Sequence, residues 1–110
     1  MLSEPTKEAI ITSLKVLRGY FLEYRPQASW TLSWIETMLA SLATNEDSTS
    51  LRVTLEEIKG YARGGMNRLG DFSLEAPPDS GISSLELNLK YHAEVSRLHN
   101  LAADALSEME

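Results

Sequence analysis

The sequence predicts an all-α fold, a four-helix bundle with a long ordered loop before the last helix, and three observations carry that prediction. Apolar residues recur at helical spacing in three stretches between Ile10 and Ala62, a fourth stretch carries a complete start signal at Ser83, and clusters of glycine, proline and small polar residues fall between them. The expected helices span 4–24, 27–43, 50–63 and 84–108 of a single domain, 1–110. A chain of this length buries roughly 60–70% of the surface its unfolded form exposes, enough for one core.

The first helix begins at Ser3-Glu4-Pro5, where proline is tolerated because the first turn leaves its N–H groups unbonded. Ile10, Leu14, Leu17, Phe21 and Tyr24 then repeat at spacings of four and three, with Ile11 and Leu22 widening the stripe and Lys7, Lys15 and Arg18 lying off it. Arg25-Pro26 ends the run, since proline drives its predecessor out of the α region. In the second helix Trp30, Trp34, Ile35, Met38, Leu39 and Leu42 form the apolar face. Two tryptophans four residues apart can also make an exposed stacking platform, but with Ile35 and Met38 interleaved both are assigned to the core.

Thr44 to Ser50 is wholly polar and rich in N-cap residues, which marks a surface loop. Leu51, Leu55, Ile58 and Ala62 define the third helix, although Thr54 and Glu57 form a second capping-box pattern that would start it four residues later. Gly60 weakens the last turn, so a close approach by a neighbour is the expected reason for a glycine there. Gly64-Gly65 should close the helix with one residue at positive φ, and Gly70-Asp71 offers a second reversal before Phe72 and Leu74 return to the core.

Pro77-Pro78-Asp79-Ser80-Gly81 excludes a continuous helix between Met66 and Gly81, and Met66, Leu69, Phe72 and Leu74 imply a loop packed on the body. Ser83 as N-cap, Glu86 three residues on, and Ile82 opposite Leu87 combine a capping box with a hydrophobic staple. Leu87, Tyr91, Val95, Leu98, Ala102, Ala105 and Met109 then share one helical face. Leu85 and Leu89 point elsewhere, which predicts cover from the loop or from a second copy in a homodimer.

Chemistry-bearing constellations are not found. His92 and His99 are seven residues apart on one helical face, about 10.5 Å along the axis, too far to chelate one ion. The Gly64-Gly65 pair follows a helix instead of a strand and lacks the Gly-Lys-Ser/Thr ending of a phosphate loop. No serine lies in a nucleophile elbow, and acids such as Glu56-Glu57 are ordinary on solvated helix faces. The expectation is a protein without catalytic residues, cofactor or metal.

Charge is distributed unequally: residues 1–70 carry eight acidic and eight basic side chains, whereas 71–110 carry eight acidic against two basic, the source of the net charge of −6. That balance argues against nucleic acid and favours a basic protein partner, unless acidity serves solubility alone. Without cysteine, a signal segment or a stretch of about 18 apolar residues, the expected setting is cytoplasmic, with no membrane contact. Asp104 and Glu108 stand where the macrodipole of the last helix disfavours negative charge, so a partner-binding role is expected for them. With Asp71, Glu75 and Asp79 from the loop they form the candidate partner-binding set, one acidic surface if the loop packs beside the last helix.

The run Ala62-Arg63-Gly64-Gly65-Met66, then Leu69 and Asp71-Phe72, followed by a leucine-bearing C-terminal helix, resembles a family of small bacterial helical proteins. The tryptophan-bearing second helix, with Trp30 and Trp34, is a further point of likeness. Asn67 stands where that family has glycine and Gly70 where it has asparagine, which removes any role of an asparagine side chain at 70. The resemblance implies an immunity or antitoxin-like role, in which the chain occludes a basic toxin or effector. A non-catalytic helical scaffold or homo-oligomer, with Leu85 and Leu89 at its contact, is the alternative.

Overall fold

Side-chain caps set where the helices start, and the bundle follows from how their apolar faces meet. The structure, a computed structural model, describes residues 2–44, 47–62 and 68–109. Helix α1 (Glu4–Tyr24) starts at Ser3, whose hydroxyl accepts from Thr6 N–H, and ends as predicted before Pro26. Helix α2 (Ser29–Thr44) begins two residues later than expected because Pro26 and Gln27 are used by the turn. Helix α3 (Ser48–Ala62) starts earlier than 50 because Asp47 caps it, its carboxylate accepting from Ser50 N–H at 3.1 Å and from Ser50 Oγ at 3.0 Å. The rival start at Thr54 is unused; that hydroxyl bonds back to the Ser50 carbonyl inside the helix.

The loop opens with a short 3₁₀ turn, Leu69–Asp71, and then runs irregularly to helix α4 (Ser84–Glu108). Ser83 caps α4 by accepting from Glu86 N–H at 3.0 Å, while the Glu86 carboxylate turns outward to Lys90 at 3.6 Å. Gly81 takes φ +78°, closing the Pro77–Gly81 turn in a conformation that side chains with a Cβ rarely adopt. Gly64 and Gly65, expected to hold a positive φ, lie outside the described residues.

Four helices pack in a ring, with α4 between α1 and α3 and α2 closing the ring against α1 and α3. Most of the core is the predicted one: Ile10, Leu14, Leu17 and Phe21; Trp34, Ile35, Met38 and Leu42; Leu55, Ile58 and Ala62; Leu87, Tyr91, Val95, Leu98, Ala102 and Ala105; Tyr61 and Leu106 join it unpredicted, while Tyr24, Leu39, Leu51 and Met109 are only partly buried. Leu69 and Leu74 join it from the loop. Phe21 receives Phe72 and Tyr91 edge-on, with centroids 5.2 and 5.8 Å away, so the loop is fastened to the aromatic end of the core. No strand occurs among the described residues, and none of their helices is long and apolar enough to cross a membrane.

Two packing expectations are corrected and a third is narrowed. Trp30 is 63% exposed, because it stands off the buried face of α2, which is made by Thr31, Trp34, Ile35, Met38 and Leu42. Leu85 and Leu89 remain 73% and 65% exposed, since the loop meets α4 through polar side chains on another face; the loop is thus not their cover, and the second copy is the expectation left. Among the described residues nothing stands within 4 Å of where a Cβ on Gly60 would be, so none of them requires a glycine there.

Candidate functional site

Five carboxylates were expected to form one acidic surface, and the bundle separates them. The loop does pack beside α4, but at its N-terminal end: Leu74 N–H donates to Asn88 Oδ1 at 2.8 Å and the Leu74 carbonyl accepts from Asn88 Nδ2 at 2.7 Å. Asp104 lies 16 residues beyond Asn88, about 24 Å along the helix axis. Exposed Glu75 and Asp79 therefore lie towards the N-terminal end of α4, exposed Asp71 follows Gly70, which sits beside His92 and Val95 nearer the middle of the helix, and Asp104 and Glu108 occupy the other end.

Glu108 also has a structural reason for its position. Helices α1 and α4 run antiparallel, so the C-terminal turn of α4 meets the N-terminal turn of α1, and Thr6 Oγ1 donates to Glu108 Oε2 at 2.8 Å. Its own helix end disfavours the charge, but the neighbouring helix start favours it. The Thr6 hydroxyl, with smaller help from Ser3, holds the Glu108 carboxyl below its ordinary range. The inference that stability gives no reason for an acid at 108 is thus corrected, and Glu108 belongs to the α1–α4 joint.

Asp71 borders a different feature. At the turn between α1 and α2 a cleft of about 480 Å³ is lined by Arg25, Gln27, Ala28, Ser29, Trp30, Thr31 and Phe72. Trp30 forms one wall and is braced from behind by Tyr61, with ring centroids 5.4 Å apart; Tyr61 in turn lies 4.2 Å from Trp34. Trp34 Nε1 donates to Glu57 at 3.2 Å, which fixes the inner indole. Phe72 forms the opposite wall and is covered by the Arg25 guanidinium, 4.8 Å from the ring centroid, which also donates to the Ser73 carbonyl at 3.2 Å. The cleft is thus an aromatic slot, and Asp71 stands next to its Phe72 wall in the chain.

The other groups that carry chemistry are engaged in the fold. Tyr91 donates to the Leu69 carbonyl at 2.6 Å, and burial pushes its hydroxyl far above the ordinary tyrosine range. Ser13 donates to Glu94 at 2.6 Å across the α1–α4 contact. His99 Nδ1 lies 3.2 Å from the Lys59 carbonyl, and His92 packs edge-on against Tyr91. No cluster of three or more potential metal-ligating side chains occurs among the described residues.

Sequence reasoning missed Arg25, Asn88 and the outward placement of Trp30. One signal existed for the tryptophan: it lies about 110° around the helix from the centre of Ile35, Met38 and Leu42. Asn88 carried none, because its partners are backbone groups 14 residues away. Comparison with family models, with curated proteins and with solved structures finds no match.

Proposed function

We propose that the protein is a binding module that occludes a basic protein partner, with the Trp30–Phe72 cleft as its apolar anchor point and the loop carboxylates as its charged rim. The carrying observation is a tryptophan 63% exposed yet braced by Tyr61, which itself packs on Trp34. A large aromatic braced in solvent loses little side-chain entropy on binding, and tryptophan is enriched among the few residues that dominate interface affinity. Asp71 next to the slot, in a chain of net charge −6, favours a cationic partner and speeds its approach.

The resemblance of the Ala62–Phe72 stretch to small helical proteins narrows the proposal to an immunity or antitoxin-like role in a bacterial cytoplasm, the partner being a toxin or effector. Occlusion needs no catalytic group. The test is to express the product of the adjacent open reading frame in a bacterial host with and without this chain. Growth arrest by that product alone, relieved by this chain and not by its Trp30→Ala form, is the expected result; no arrest, or arrest that this chain leaves unrelieved, contradicts the narrower role.

A second reading, a non-catalytic scaffold that self-associates, is favoured by Leu85 and Leu89, one turn apart and 73% and 65% exposed. Two leucines fall well short of the roughly 800 Å² per partner of a stable interface, so this contact alone makes a weak dimer. Sedimentation velocity checks it: a concentration-dependent shift abolished by Leu85→Ser with Leu89→Ser supports self-association, and a monomer at all concentrations removes it.

A further inference from the structure

The loop that walls the cleft has the backbone arrangement of a single β-strand laid on a helical bundle. Phe72 is extended, with φ −81° and ψ 142°, and Leu74 sends both its N–H and its carbonyl to the Asn88 side chain. An N–H and a carbonyl of one residue lie on the same edge only in an extended chain. Ala76 N–H continues that edge by donating to Ser84 Oγ at 3.0 Å. Side chains alternate as a strand requires: Phe72, Leu74 and Ala76 pack inward and Ser73 and Glu75 face solvent. The segment 72–76 is therefore an extended, strand-like run of about 17 Å whose α4-facing edge is closed by an asparagine and a serine instead of a neighbouring strand.

Its other edge is open. The peptide groups of Ser73 and Glu75 point away from α4, towards the side on which Arg25 reaches the Ser73 carbonyl and lines the cleft. Among the described residues, the Ser73 N–H, the Glu75 N–H and the Glu75 carbonyl have no hydrogen-bond partner. An exposed edge of this kind templates an added strand, with main-chain bonds giving affinity and alternate side chains giving selectivity.

We propose that the partner is captured by strand addition: an extended segment of the basic protein pairs with the open Ser73–Glu75 edge and lies along the cleft. This deepens the reading of the molecule as a module for a basic partner and rests on it. The arrangement sets the chemistry of the captured segment. Side chains on its inner face enter the slot between Phe72 and Trp30 and are apolar, and those on its outer face stand beside the Glu75 carboxylate, near Asp71, and are lysine or arginine. The recognised pattern is an alternation of basic and apolar residues over about five positions.

A blocked five-residue peptide alternating lysine and valine is the probe, titrated into the ¹⁵N-labelled protein while amide resonances are followed. Two modified forms carry N-methyl groups on the valines alone or on the lysines alone. A strand pairs through one edge, so one of these forms should lose binding by about tenfold or more, the equivalent of one or two backbone hydrogen bonds, and the other should keep it. The Ser73 and Glu75 amide protons should shift downfield with the unmodified peptide. Glu75→Pro, which removes an N–H, should weaken binding well beyond Glu75→Gln, which removes only charge; retained protection of the Leu74 amide shows that the strand is still seated. Equal binding of both methylated peptides overturns strand addition while leaving the basic-partner reading intact. Absence of any shift at Ser73 and Glu75 with millimolar peptide also overturns it, whereas the growth assay decides the wider reading independently.

Discussion

Gly60 is the residue at which sequence and surroundings disagree most simply. It sits inside α3, with nothing among the described residues near its Cβ position and an ordinary helical backbone. Gly60→Ala should therefore stabilise the protein by about 0.5–1 kcal/mol, through helix propensity and a less flexible unfolded chain. A raised urea midpoint checks this, and a lowered one would show that the glycine serves a contact. The core was legible from the sequence because helical spacing alone assigns Leu14, Phe21, Ile58 and Leu98 to buried faces. Trp30 was not, because the apolar stripe was drawn wide enough to include it, whereas the buried face of α2 is centred on Thr31, Ile35, Met38 and Leu42 and leaves Trp30 outside.

At the scale of elements, two joints hold the parts in place. The strand-like segment depends on Asn88, whose amide matches Leu74 on both donor and acceptor and also donates to the Ser84 carbonyl at 2.8 Å. Asn88→Ala leaves those backbone groups without partners, at a cost of about 1–3 kcal/mol, and the Leu74 amide should exchange with solvent much faster. Unchanged exchange at Leu74 would mean that Phe72 and Leu74 packing alone seats the segment. The second joint is Thr6–Glu108. Because folding lowers the Glu108 pKa, its contribution to stability is fully present above the unfolded glutamate value, near about 4.3, and is lost as pH falls through the folded one. Thr6→Val should raise the Glu108 pKa towards its ordinary value, as read by NMR titration of the carboxyl carbon, and should weaken the acid dependence of stability. A titration unchanged by the substitution would assign the shift to other neighbours. Helix starts at Ser3 and Ser83 were legible because capping is local; the Thr6–Glu108 contact spans 102 residues and follows only from the antiparallel packing of α1 and α4.

For the whole molecule, the fold divides the acids of the C-terminal part instead of gathering them. Asp71 adjoins Phe72 of the aromatic slot in the chain, and the acids of the far end of α4 are divided between solvent, at Asp104, and a helix joint, at Glu108. The five candidate residues could be chosen from sequence by charge and helix position, but their division required the register of α4 against the loop. The three loop acids should govern encounter and Trp30 should govern retention. The measurement that tests this most directly is the association and dissociation kinetics of the chain with the proposed basic protein partner, at low and high salt. The account predicts that Asp71→Lys, Glu75→Lys and Asp79→Lys together slow association and flatten its salt dependence, and that Trp30→Ala speeds dissociation by tenfold or more, equivalent to about 1.4 kcal/mol or above. Rates that neither variant changes would contradict it.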